Sequence, residues 1–205
     1  KITNKSEGTI EKPIIFLIDE PETFLHPKAQ NKLMEAFNEL SRKSQIFITT
    51  HSPYLLKLFD KNRHQLSVFY KDGICSKFAH KDMLDIFGDY SPSWGEINYF
   101  AFDVPSVEFH NELYGFLQAR AIDEDNKNYY EEHFDKWLNS KGIPQNEQYK
   151  RLMKDGNTKG EIKTLPTLVR NIIHHPENNN NSYSVERLKQ SIEELIKIIK
   201  SIYIN

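Results

Sequence analysis

Ile14-Ile15-Phe16-Leu17-Ile18-Asp19-Glu20-Pro21-Glu22 is an apolar run that breaks into acids around a proline. A short run of bulky and β-branched residues without alternation predicts a strand buried on both faces, as in a parallel sheet. Downstream, Leu33, Ala36, Phe37 and Leu40 recur at helical spacing and predict a helix over Pro27 to Arg42. A second such run, Ile46-Phe47-Ile48-Thr49-Thr50, predicts another buried strand. Strand, helix and strand in this order make a βαβ unit, whose crossover is nearly always right-handed. The fold class expected from this stretch is α/β. Leu66 to Tyr70 and Ile74 to Phe78, separated by Lys71-Asp72-Gly73, predict a hairpin.

Working outward, the pattern changes near residue 82. From there only helical periodicity is visible, over Val107 to Arg120, Tyr129 to Leu138, Leu165 to His175 and Val185 to Tyr203. The expected organisation is therefore an α/β part over 1–85 and an all-helical extension over 86–205. The first ten residues are polar and unpatterned and read as a loop. Asn178-Asn179-Asn180-Asn181 reads as polar low complexity in a chain with 17 Asn and 21 Lys. The apolar stripe of the last helix reads as core or as a dimer seam.

Composition narrows the functions. The chain has 205 residues, with 27 basic and 29 acidic residues and a net charge of −2. The balance is even on both sides of Asp103, which excludes a polycationic mode of nucleic-acid binding and leaves room for a local basic groove. The single cysteine, Cys75, permits no intrachain disulfide and fits a reducing compartment. No apolar run reaches the ~18 residues of a membrane span, and no signal peptide opens the chain. A cytoplasmic protein without membrane partners is expected.

Asp19 and Glu20 follow the first strand, and ligand sites in parallel sheets lie beyond the carboxyl ends of strands. Two adjacent acids there can divide the work of phosphoryl chemistry, one serving Mg²⁺ and the next the attacking water. The plainer reading is a strand that ends in a solvated acidic turn. The text LIDEPETFLHPKAQ, a helix, and then QIFITTHSPYLL resembles the C-terminal half of the ATP-binding-cassette (ABC) type, P-loop ATPase head. It is most similar to bacterial ATPases related to RecF, SMC proteins and overcoming-lysogenization-defect nucleases. That resemblance implies ATP and Mg²⁺ as cofactors and a homo-dimer or higher oligomer of heads. It also implies a Walker B strand in which Asp19 is the metal-side acid and Glu20 the catalytic base. Thr23 to Pro27 falls where the D-loop lies, and His51 falls at the switch histidine that contacts the γ-phosphate. No G-x-x-x-x-G-K-[ST] loop, Leu-Ser-Gly-Gly signature or adjacent glycine pair occurs. Gly156-Asn157-Thr158-Lys159-Gly160 has the wrong spacing for a phosphate loop. The expectation is the C-terminal portion of a larger ATPase, inactive toward ATP by itself.

In the extension, Glu108, His110 and Glu112 read as a solvated face beside an aromatic seam, with a metal site as the weaker alternative. Pro166 is placed to open a helix and Pro176 to close it. On that helix Arg170 and His174 lie one turn apart, while His175 sits at the end. An Arg beside a His suits RNA cleavage, because the guanidinium can stabilise a pentavalent phosphate and the imidazole can move a proton. Arg170-Asn171 followed by His175 resembles the R-N-x-x-x-H motif of HEPN ribonuclease domains, which implies metal-independent RNA cleavage by Arg170 and His175. The structural alternative has Arg170 paired with an acid such as Glu177; a zinc cluster of His174, His175 and Glu177 lacks a further ligand. Three functions follow as expectations. The first is an ATPase-controlled ribonuclease of an anti-phage defence or toxin system. The second is a non-catalytic docking platform for a separate effector protein. The third is a RecF-like DNA-repair ATPase.

Overall fold

The computed structural model describes residues 14–80, 85–125 and 130–203. They form two compact units that divide between Asn62 and Arg63. The predicted opening loop and the changeover near residue 82 fall outside the described residues.

In the first unit, strand β1 (Ile14–Asp19), helix α1 (Pro27–Leu40) and strand β2 (Ser44–Thr49) build the expected βαβ order. The strands pair in parallel, from Ile14 against Ser44 to Asp19 against Thr49. Pro27 opens α1, where its missing N–H costs nothing. His26 caps the turn, its ring Nδ1 accepting from the Lys28 N–H at 3.3 Å. The expectation of strands buried on both faces is not met: Leu17 is 79% exposed and Phe47 55%. Among the described residues the sheet has two strands, and within the unit α1 and a single turn at Leu55–Leu58 supply the packing. Among the described residues Met34, Leu55 and Leu56 are its buried apolar side chains.

The second unit begins with a hairpin, β3 (Ser67–Asp72) and β4 (Cys75–His80). Gly73 takes the left-handed backbone at φ 62° that this turn requires. A boundary near residue 85 would leave this hairpin with the βαβ part; the compact units assign it to the second. One helical turn, α2 (Trp94–Glu96), is capped by Ser93 and continues through a π-helical segment at Ile97–Ala101. Helix α3 (Val107–Asp125) and helix α4 (Glu131–Ser140) follow. Helix α5 (Leu165–His174) and helix α6 (Val185–Tyr203) complete the unit. Their apolar stripes converge on one core, in which Phe109, Leu113, Leu117, Phe134, Leu138, Ile192, Leu195 and Ile199 are each fully buried. The stripe of α6 is therefore core.

This unit is not all-helical. Strands β5 (Gln145–Leu152) and β6 (Thr158–Thr164) form an antiparallel hairpin between α4 and α5. The sequence conceals it because Tyr149 alone among the residues of β5 is buried, so no apolar alternation marks the strand. Gly156, with φ 86°, serves its turn.

Candidate functional site

The parallel register sets Asp19 beside Thr49 at the carboxyl ends of β1 and β2. The Thr49 hydroxyl donates to Asp19 Oδ1. Beyond it, the Glu20 N–H donates to the Thr49 carbonyl at 3.1 Å and lies 3.3 Å from Thr49 Oγ1. Glu20 leaves the strand at φ 41°, in the left-handed region that a side chain disfavours. Its carboxylate Oε1 lies 3.2 Å from His51 Nε2. The side chains are 46% and 85% exposed, so this pair adds little to stability and remains open to a ligand. The fold thus brings the acid and the histidine together from two strand ends.

Glu22 has a part that the sequence did not suggest. It is 7% exposed. Its Oε1 accepts from the Thr50 hydroxyl at 2.5 Å and from the His51 N–H at 3.0 Å. Thr50 Oγ1 in turn accepts from the Ser52 N–H at 3.0 Å. The Ser52 hydroxyl donates to Gln30 Oε1 at 2.5 Å, and Gln30 Nε2 donates to the Leu25 carbonyl at 3.0 Å. The backbone that carries His51 is therefore held from the turn after β1 and from α1. The available signal was an acid two residues beyond Glu20, matched to a hydroxyl after β2. The donors around Asp19 are hard oxygens, from its own carboxylate and from Thr49, which suits Mg²⁺ held partly through water.

The second cluster lies along α5. Arg170 packs with its guanidinium carbon 5.5 Å from the Tyr114 ring centroid, and its Nη1 lies 3.4 Å from Asn171 Oδ1. Asn171, 2% exposed, donates through Nδ2 to Glu131 Oε1 at 2.9 Å. Lys163 bridges Glu131 at 2.9 Å and Glu161 at 3.1 Å. Burial works against the charge on Glu131, but hydrogen bonds from Asn171 and Lys163 outweigh it and hold the carboxyl below its ordinary value. Burial likewise opposes the charge on Lys163, and its two carboxylate partners raise its pKa overall.

The histidines of this cluster divide. His174 shares the Arg170 face, and burial together with that guanidinium and His175 lowers its pKa. His175 caps the helix, with Nδ1 3.2 Å from Glu177 Oε1. Glu177 thus pairs with His175 and not with Arg170. His175 also lines a groove of about 330 Å³ together with Ile172, Pro176 and Tyr183. His110 departs from the expected solvated face: it is fully buried, with Nε2 2.9 Å from Ser191 Oγ. Among the described residues no group of three or more His, Cys, Asp or Glu is arranged to hold a metal, and no helix is long and apolar enough to cross a membrane.

The first cluster belongs to a segment with known relatives. Residues 8–57 match a family described as "AAA domain, putative AbiEii toxin, Type IV TA system", so the βαβ segment is related to nucleotide-hydrolysing domains. Over 48 residues the chain is 40% identical to an uncharacterised protein of Methanocaldococcus jannaschii. That stretch covers 23% of this chain and 12% of the relative, so the likeness reaches a small part of either protein.

Proposed function

We propose that this chain is part of a Mg-ATP-dependent ABC-type ATPase of a defence or toxin system, whose second unit cleaves RNA under control of the ATPase. The observation that carries the ATPase reading is the approach of Glu20 and His51, 3.2 Å apart, beyond adjacent parallel strands in the segment related to the AAA family. In this reading Asp19 and Thr49 hold the metal side, Glu20 accepts the proton of the attacking water, and the His51 imidazole contacts the terminal phosphate. The bound Mg²⁺ supplies charge neutralisation for phosphoryl transfer. The exposed apolar side chains of β1 and β2 support a larger head that covers them, one that also brings a phosphate-binding loop. Arg170, with His174 on its face and His175 at the helix end, supports proton transfer and charge stabilisation at an RNA phosphate.

The test uses the full-length protein. Glu20→Gln keeps the shape and removes the base, and ATP turnover is expected to fall by at least about a hundredfold with nucleotide binding retained. Turnover at the wild-type rate would sink the assignment. Arg170→Ala and His175→Ala are expected to abolish RNA cleavage. Unchanged cleavage would favour the second unit as a docking platform for a separate effector, a role in which Glu177 holding His175 is purely structural.

A further inference from the structure

The β5–β6 hairpin carries more exposed positive charge than the one carboxylate shared among its cations can balance. Arg151 and Lys159 stand directly opposite each other in the register, with side chains 62% and 67% exposed. Like charges at directly opposed positions destabilise a strand pair. Glu161 lies 3.6 Å from Arg151 and 4.0 Å from Lys159, but it also serves Lys163 at 3.1 Å. Lys150 and Lys154 are exposed on the same hairpin. Between residues 150 and 160 the only acid is Asp155, and Asn157 engages both of its carboxylate oxygens.

The base of this arm adjoins the groove beside His175. Asn181 Oδ1 accepts from the Lys150 N–H at 2.8 Å. Asn178 and Asn181 both donate to the Lys150 carbonyl, at 2.8 and 2.9 Å. The asparagine run thus ties the loop that lines the groove to the first residue of the basic stretch. Arg151 and Lys159 share one face of the hairpin and Lys150, next in the strand, takes the other, while the groove has an aromatic ring, Tyr183, in its wall. Exposed cations on a hairpin tied to an aromatic-walled groove fit a polyanion that carries planar groups. They fit an acidic protein or a lipid surface less well.

We propose that the β5–β6 hairpin is a phosphate-binding arm for single-stranded RNA, through Arg151 and Lys159 on one face with Lys154 at the turn, and with an unpaired base entering the groove against Tyr183. This rests on the reading of the second unit as an RNA-cleaving unit. It adds the substrate class and the residues that hold the strand. Bases in a duplex cannot leave the stack to enter such a groove without unpairing, so the strand must be single.

The experiment measures binding of this chain to a short fluorescent oligoribonucleotide by anisotropy, between about 50 and about 200 mM salt. The arms are the wild type, Arg151→Gln/Lys159→Gln, Tyr183→Ala and Tyr183→Phe, each also with a duplex of the same sequence. The double variant is expected to bind about tenfold more weakly, with a salt slope shallower by about 2. It should melt no lower than the wild type, since a like-charge pair has been removed. Tyr183→Ala should weaken binding and Tyr183→Phe should keep it, because stacking needs the ring and not the hydroxyl. Wild-type affinity and slope in the double variant would overturn the proposal. So would absence of RNA binding at low salt, or tighter binding of the duplex. If Arg170→Ala leaves cleavage by the full-length protein unchanged while the hairpin variant still loses binding, the nuclease reading fails and the arm stands.

Discussion

Glu22 shows how much one side chain can hold. Its carboxylate is buried and receives the Thr50 hydroxyl and the His51 N–H on one oxygen. Glu22→Ala strands both donors, and losses of this kind cost about 1–3 kcal/mol. The His51 amide should then exchange faster with solvent deuterium, and chemical denaturation of the chain should report the lost stability. Unchanged exchange at His51 would mean that Glu22 does not hold that turn. His110 makes a prediction in pH. Burial, helped by the nearby charges of His174 and Arg170, pushes its pKa down to about 4 from an ordinary 6.5. Between those values the unfolded chain binds the proton that the folded chain refuses. The stability due to this group is complete above about 6.5, drains away as pH falls toward 4, and is flat below. Its full span is on the order of 3 kcal/mol. Urea unfolding of His110→Gln should lack that slope relative to the wild type across this window; parallel curves would contradict a neutral buried imidazole.

At the scale of elements, legibility followed apolar contrast. The strands β1 and β2 were readable because short runs rich in bulky and β-branched residues favour a strand over a helix, and α6 because its stripe repeats along the whole helix. The β5–β6 hairpin offered no such contrast, since its side chains are mostly polar and exposed on both faces. Glu20 and His51 were legible as candidate residues only through a motif, and their contact was not; the grip of Glu22 was not either, because it depends on a hydroxyl brought alongside by the parallel pairing. His175 was legible as a residue but its partner was not, since Glu177 reaches it by a turn after the helix end. One substitution isolates the hairpin. Lys159→Thr removes a like-charge neighbour from Arg151 and improves strand propensity, so the thermal midpoint should rise, by the equivalent of about 0.2–1 kcal/mol. A fall in the midpoint would show that Lys159 is structurally required.

Over the whole molecule, the two units differ in how much they bury. The second gathers a continuous core from its helices, whereas the described residues of the first include three buried apolar side chains and exposed strands. Limited proteolysis should therefore cut first within residues 14–62 and leave a resistant fragment beginning near Arg63, read by mass spectrometry. A resistant fragment that contains β1 and β2 would contradict this ranking. Both tryptophans, Trp94 and Trp137, lie in the second unit, so their fluorescence should stay native through the early cuts.

The backbone at Glu20 has a meaning for descent as well as for chemistry. A residue with a side chain at φ 41° is strained where Gly or Asn would sit at ease. A lineage under selection for folding alone would drift to one of those residues at position 20. On the proposed reading of Glu20 as the base, hydrolysis is what favours glutamate there, so relatives that have lost such an activity should betray it first at this position.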